Sequence, residues 1–118
     1  VAAAAIADTR ALSFAHTHTG ERLELVYARG GSYLPEALGA LDRLLRDHYS
    51  GEVGRMDPAL YDLLERVRQA TGSRAHFEVI SGYRCAATNE RLRTTRGGGV
   101  AKTSLHTQGR AIDVRLPD

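Results

Sequence analysis

The spacing of the apolar residues changes along the chain, and this change limits the possible folds more than any other feature. From Leu12 to Tyr27 apolar residues recur at every second position on both sides of Thr19-Gly20-Glu21, which predicts a β-hairpin. From Pro35 to about His48 they recur at spacings of three and four, which predicts an amphipathic helix with the proline in its first turn.

A second helix and two more strands follow. The helix is predicted to begin with Asp57 as N-cap and Pro58 at the first helical position, and to end at Gly72. Residues 77–80 and 111–116 have the composition and alternation of short strands. We therefore predict an α+β fold with an N-terminal β-hairpin, two core helices and a small antiparallel sheet that carries a metal site.

Two further segments are less regular. Ala86 to Arg96 has the composition of a short polar helix, and Gly97-Gly98-Gly99 follows it. No Gly-Lys-Ser/Thr frame surrounds these glycines, so a hinge or mobile loop is predicted and a phosphate cradle is not. His48 and Tyr61, which lie beside the apolar stripes of the two main helices, are expected to be core or surface residues outside any site.

Length and composition indicate one folded domain. The 118 residues are 42% hydrophobic and 25% charged, and no apolar run approaches the roughly 18 residues of a membrane span. We expect residues 1–10 to be a flexible N-terminal segment and residues 11–118 to form the domain. Ala5-Ile6-Ala7 fits the small-residue rule for signal-peptidase cleavage, which predicts export to the periplasm or cell envelope; a frayed alanine-rich tail is an equal alternative.

Charge and cysteine content exclude several classes of protein. The net charge is +2, but the segment 84–115 has seven basic and two acidic residues, a field that attracts anionic ligands. Nucleic-acid binding is not expected because this segment has no interleaved aromatic residues and no recognisable motif. Cys85 is the only cysteine, which excludes an intramolecular disulfide and a thiolate-rich zinc finger.

The stretch from Ser104 to Leu116 carries the most informative chemistry. Strand alternation turns Asp113 away from the face that Ile112 and Val114 share. An extended chain from His106 to Asp113 would span roughly 23 Å, so the chain must turn back between them if the two side chains are to meet. An imidazole and a carboxylate suit zinc, whereas on spacing alone a structural hydrogen bond between them is the alternative.

The complete frame resembles a known family. Ser-x-His-x-x-Gly-x-Ala-x-Asp over residues 104–113, preceded by Ser81-Gly82-Tyr83-Arg84, is similar to the signature of the D-alanyl-D-alanine peptidase superfamily, which includes the VanX- and VanY-type zinc peptidases. Within it the chain is most similar to the YcbK-like bacterial branch, which shares Thr17-His-Thr-Gly-Glu21 and Gly99-Val-Ala-Lys102. The resemblance extends from about residue 11 to the last residue.

This resemblance implies a hedgehog-like zinc metallopeptidase that hydrolyses D,D or L,D bonds in peptidoglycan peptides. It matches His106 and Asp113 to two zinc ligands, and Arg84 to the arginine that polarises the scissile carbonyl. Ser104 is expected to orient the ligand loop or to contact substrate. The alternative for Arg84 is an ion pair on the surface.

Two departures from the family pattern limit this expectation. The family's third ligand is a histidine in a later strand with the catalytic base nearby, and the sequence stops before such a segment. We therefore expect the 118 residues alone to bind zinc weakly and to be almost inactive, unless His76, Cys85, the pair His16 and His18 or a neighbouring subunit supplies the ligand. A hairpin location predicts that His16 and His18 are solvated instead.

The second departure is Cys85, where the family usually has serine. A small buried thiol is expected, and a nucleophile paired with His106 is the less favoured alternative. A protein of another class also fits the pattern, namely a module that binds peptidoglycan or a protein partner without hydrolysing it. The sequence leaves the oligomeric state open.

Overall fold

A computed structural model describes residues 9–95 and 104–117, and these residues form five strands, three α-helices and one 3₁₀ helix. The strands are β1 Arg10–His16, β2 Arg22–Arg29, β3 Ser32–Tyr33, β4 Phe77–Ser81 and β5 Asp113–Arg115. The helices are α1 Pro35–Leu44, α2 Ala59–Thr71, α3 Ala86–Thr95 and the 3₁₀ helix Leu105–Gln108. The α+β class is confirmed, and the three glycines at 97–99 lie outside the described residues.

The five strands form one sheet in the order β3-β2-β1-β4-β5. The predicted hairpin is confirmed, since β1 and β2 pair antiparallel on the two sides of residues 17–21. The prediction of an antiparallel sheet is wrong at one junction, because β1 pairs parallel with β4. A parallel pair needs a long crossover, which α1 and α2 supply here, and apolar periodicity carries no information on strand direction.

The core lies between one face of this sheet and the two long helices. α1 packs on β2 and α2 packs on β1. Alternation along β1 buries Leu12 and Phe14, while Ser13 between them is half-buried. Each such apolar side chain stabilises the fold by about 1.5–3 kcal/mol when fully removed from water. The largest members of the core come from all these elements: Phe14, Tyr27, Leu41, Leu45, Tyr61, Phe77 and Val79.

The predicted C-terminal end of α2 is confirmed, whereas α1 ends earlier than predicted. α2 ends at Thr71 with Gly72 as its C-cap, as predicted, but it begins at Ala59 with Pro58 as N-cap, one residue later than predicted. The Asp57 carboxylate accepts the backbone N–H of Ala59 at 3.0 Å. α1 ends at Leu44, before the predicted His48. The reason is the side chain of Asp47, which accepts the N–H groups of the two residues at 49 and 50 and so favours a turn over another helical turn.

None of the helices in the described ranges has both the length and the apolar character needed to cross a membrane. The short polar helix that the composition predicts is confirmed as α3, which buries only Thr88, Asn89 and Leu92. This helix follows directly on Arg84 and Cys85, so its position fixes one side of the region described next.

Candidate metal and substrate site

Asp113 reaches the site because β5 pairs with β4 at its C-terminal end. The register places Ser81 opposite Asp113, with an irregularity just before that pair. Val114 is partly buried and packs against the core, whereas Asp113 is exposed. The predicted alternation is therefore confirmed, and Asp113 lies beside the Ser81–Arg84 segment.

His106 is held on the 3₁₀ helix by contacts on both sides. The Ser104 hydroxyl accepts the backbone N–H of His106 at 3.1 Å and so caps this helix. The chain reverses at Gly109, which has φ = 68° and whose carbonyl accepts the N–H of Asp57 at 2.8 Å. A Cβ atom at this glycine would lie 2.1 Å from the carbonyl oxygen of Arg55, so both the backbone angle and the lack of space require glycine.

The imidazole of His106 is buried and has a fixed orientation. Its Nδ1 lies 2.8 Å from the carbonyl oxygen of Gly82, and since a carbonyl only accepts, Nδ1 carries the hydrogen. Its Nε2 lies 3.3 Å from Oδ2 of Asp113. In the neutral imidazole with its hydrogen on Nδ1, Nε2 presents a lone pair to the carboxylate oxygen, and a bound cation between the two atoms would satisfy both.

This geometry fits a zinc ion. Two ligand atoms of tetrahedral zinc, each at about 2.0–2.1 Å from the metal, lie about 3.3 Å apart. An Nδ1–H donated to a backbone carbonyl is also the usual way in which a metal-bound histidine is oriented. Within residues 9–95 and 104–117, however, no three His, Cys, Asp or Glu side chains come close enough to hold a metal together.

Arg84 joins the histidine loop to the β4 end. Its backbone N–H donates to the carbonyl of His106 at 3.1 Å, and its Nη2 donates to the Ser104 hydroxyl at 3.3 Å. In the described part of the chain its buried Nε has no hydrogen-bond partner, and no carboxylate lies within ion-pair distance. The alternative role as a surface ion-pair partner is therefore not what this structure shows, and the guanidinium is available to a ligand.

A buried carboxylate, which the sequence analysis missed, holds this arrangement in place. Asp47 is fully buried, and its Oδ2 accepts the N–H of Cys85 at 3.0 Å. Burial alone would raise the pKa of Asp47, but hydrogen bonds from the Cys85 N–H, the Thr88 hydroxyl and the Tyr49 N–H outweigh it and lower the pKa to about 2. Asp47 is thus ionised at neutral pH and fixes the residue next to Arg84.

The histidines of the hairpin differ from the prediction. His16 is only 2% exposed, so its interpretation as a solvated residue is wrong, whereas His18 is exposed as expected. His16 is the last inward-facing residue of the central strand β1, and the 45–51 loop covers it. Alternation along the sequence does not show this contact with a distant loop. The Nδ1 of His16 accepts the N–H groups of His18 and Thr19 at 3.2 and 3.4 Å, which closes the turn.

These contacts surround a pocket of about 280 Å³, here called the site pocket. Arg84, Asp113, His18 and His48 are among the residues that line it, whereas His106 is not among the described residues of its lining. The expectation that His48 lies outside the site is therefore wrong, because the turn at Asp47 brings it there. Tyr61 is a core residue, as expected.

Cys85 is buried, as the default interpretation predicts. Its Sγ contacts the hydroxyls of Thr88 at 3.3 Å and Ser50 at 3.7 Å, and no contact joins it to His106 in the described part of the chain. The alternative of a Cys85–His106 nucleophile therefore has no support from the geometry.

Comparison with known proteins identifies the class of protein to which this domain belongs, a family of peptidoglycan-hydrolysing metallopeptidases. A model of the family described as peptidoglycan L,D-endopeptidase MepK matches residues 4–118, so the chain belongs to this family. The MepK of Escherichia coli (strain K12) is 38% identical over 107 residues, and a relative from Haemophilus influenzae is 41% identical over 108 residues.

The alignments cover most of this chain but only part of each relative. They cover 91% of this chain but only 58% of each relative, so the chain spans somewhat more than half the length of the curated relatives it matches. The same values of identity and coverage hold for MepK of Shigella flexneri. No solved structure matches the chain at a significant level.

Proposed function

We propose that this domain is the zinc-binding and carbonyl-polarising part of a peptidoglycan hydrolase that cuts L,D bonds in the bacterial cell envelope. The observation that carries the proposal is the pair His106 and Asp113, whose facing atoms lie at the separation of two ligands on one zinc ion, beside an arginine without an anionic partner. The E. coli relative is named as a peptidoglycan L,D-endopeptidase, which favours L,D over D,D bonds.

Each residue has a defined task in this proposal. His106 and Asp113 would hold zinc, which when bound acts as a Lewis acid on a carbonyl group. Arg84 donates its free N–H groups to the carbonyl oxygen of the scissile bond and stabilises the negative charge that develops there. Ser104 is a positioning residue, because it caps the His106 helix and also orients the Arg84 guanidinium.

A non-catalytic binding module on the same fold is the second candidate. The described residues bring two metal donors together, whereas catalytic zinc normally has three protein ligands. A domain that only holds peptidoglycan peptides would need Arg84 and the site pocket but no activated water. The two candidates therefore differ in hydrolysis and agree in binding.

The test is a chimera in which this chain replaces the segment of E. coli MepK that it matches. The chimera and its Arg84→Ala variant are incubated with zinc and purified peptidoglycan, and the released muropeptides are identified by mass spectrometry. We expect hydrolysis of L,D bonds by the chimera, and a kcat about 10²-fold lower in the variant, as is typical for loss of a donor to an oxyanion. Zinc content should be the same in both.

The matched control is Arg115→Ala, which removes an exposed arginine paired with Glu78 on the neighbouring strand. This variant should retain the activity of the chimera. Activity of Arg84→Ala within about twofold of the parent would show that Arg84 has no part in the reaction. A folded, zinc-loaded chimera that binds peptidoglycan without cutting it would favour the binding module.

A further inference from the structure

One wall of the site pocket is a row of neighbouring rings, two of them stacked and the third tilted, that continues beyond the pocket. The rings of His18 and His48 are parallel, with centroids 4.1 Å apart, and the ring of Tyr49 follows at 4.3 Å from that of His48. We call these three side chains the ring row. Tyr49 lines both the site pocket and a neighbouring pocket of about 250 Å³, here called the side pocket.

The row ends at a guanidinium group. Arg91 on α3 lies with its Cζ 5.6 Å from the centroid of the Tyr49 ring. A guanidinium that stacks on a ring keeps its N–H groups at its edge, where they can donate to both oxygens of one carboxylate. In the described part of the chain no carboxylate is paired with Arg91, although its neighbour on the helix, Arg93, is paired with Glu90.

The buried Asp47 carboxylate contacts the backbone N–H groups of three residues that line the side pocket, but its charge is taken up by their hydrogen bonds. The lining itself includes no acidic residue, and Asp113 is the only carboxylate among the described residues that line either pocket. Ser50 contributes a hydroxyl whose oxygen accepts the N–H of Glu52 at 3.2 Å and lies 3.7 Å from the Cys85 Sγ. Two arginines and a hydroxyl thus lie along a continuous surface that starts beside Asp113.

We propose that the side pocket is a subsite for a carboxylate of the bound peptide, held by Arg91 on Tyr49, while Arg84 engages the peptide near the scissile bond. This inference rests on the proposed function and deepens it, because it assigns the substrate a free carboxylate at a distance from the reacting carbonyl. The row of rings gives the intervening part of the peptide the ring edges to pack against.

The probe is the tetrapeptide L-Ala-γ-D-Glu-L-Lys-D-Ala, which contains two L,D bonds, L-Ala–D-Glu and L-Lys–D-Ala. It has two candidate carboxylates, the α-carboxylate of the D-Glu residue and the C-terminal carboxylate, and an analogue is made with each one converted to the amide. Calorimetric titration of the 118-residue chain measures binding, so no turnover is needed.

We expect Arg91→Gln to weaken binding of the parent peptide about three- to fivefold, the range of a solvent-accessible ion pair. One of the two amides should weaken binding to the unchanged protein by a similar factor and identifies the carboxylate. In the Arg91→Gln variant that amide should cause no further loss. Arg93→Gln is the matched control, since it removes the same charge from the same helix, and it should bind like the parent.

Two results would overturn the inference in different ways. Arg91 is not part of the subsite if the Arg91→Gln and Arg93→Gln variants bind the parent peptide equally. The same conclusion follows if both amides weaken binding to Arg91→Gln as much as they weaken binding to the unchanged protein. Either result leaves the proposed function standing. Failure of the unchanged protein to bind any of the three peptides would contradict the proposed function, and the subsite with it.

Discussion

The carboxylate of Asp47 accepts the backbone N–H of Cys85 at 3.0 Å, although the two residues are 38 positions apart in the sequence. Asp47 precedes His48, and Cys85 follows Arg84, so this one contact ties together the two segments that bring His48 and Arg84 to the site pocket. A buried ionised carboxylate with three backbone N–H donors is a strong anchor, because each charge-assisted bond contributes about 1.5–3 kcal/mol.

Asp47→Asn should therefore destabilise the fold. An asparagine there has one acceptor oxygen in place of two, and its amide N–H₂ would face backbone donors. We expect the free energy of unfolding, measured by urea denaturation, to fall by about 2–4 kcal/mol. Asp57→Asn is the control, because Asp57 is exposed and accepts only the N–H of Ala59; its loss should not exceed about 1 kcal/mol.

The same carboxylate predicts how stability depends on acid. The pKa of Asp47 is about 2 in the folded protein against an ordinary value of 3.8, so the unfolded chain takes up this proton first as the pH falls. The stabilisation is complete above about pH 4 and is lost between pH 4 and 2, by roughly 2 kcal/mol. Asp47→Asn should lack this part of the acid dependence, and an unchanged profile in the variant would show that Asp47 is not its source.

Gly109→Ala should disturb the site through the backbone. The substitution places a Cβ atom 2.1 Å from the Arg55 carbonyl oxygen at a residue with φ = 68°, and we expect a loss of about 2–4 kcal/mol in thermal or urea unfolding. Gly30→Ala is a close control, since Gly30 has φ = 60° but nothing within 4 Å of the added atom. It should cost only about 1 kcal/mol. Equal losses of stability in the two variants would mean that the Arg55 carbonyl moves away from the added Cβ atom without strain.

His16→Asn should reduce the pH dependence of stability near neutrality. Burial, and then the neighbouring His48, lower the pKa of His16, so the unfolded chain is protonated first and stability falls as the pH drops below about 6.5. An asparagine carbonyl at this position can still accept the N–H groups of the turn. The free energy of unfolding is measured at pH 8, 7, 6 and 5. From its value at pH 8 it should decrease less in the variant than in the parent.

His106→Ala and Asp113→Ala should each weaken zinc binding to the 118-residue chain at least about tenfold in a calorimetric titration, since each removes one of the two facing donors. His76→Ala is the control, because it removes a histidine that lines a different pocket. Parent-like affinity in His106→Ala would refute the assignment. The chimera with E. coli MepK should bind zinc more tightly than the chain alone, as a third ligand would require.

The sequence predicted most of the local structure, because local structure depends on spacing and on the residues at turns. The β-hairpin, both core helices, β4 and the outward direction of Asp113 all follow from periodicity and are present. The frame over residues 104–113 also led to the correct family. These features need only neighbouring residues to specify them.

The contributions that the sequence did not reveal come from contacts between distant segments. His48 reaches the site because Asp47 ends α1 early, and nothing in the periodicity of α1 distinguishes that end from one a turn later. The burial of His16 depends on the 45–51 loop that covers it. The parallel direction of β1 against β4 is likewise set by how α1 and α2 cross the sheet.

The central position of β1 affects how the chain can fold during synthesis. β1 is synthesised before β4, which pairs with it from Phe14 to His16 and lies some sixty residues further along the chain. Until then the hairpin has one unsatisfied edge, at which another chain could pair. The imidazole of His16 lies on that edge strand, so its burial is complete only when the contacts of the finished domain have formed.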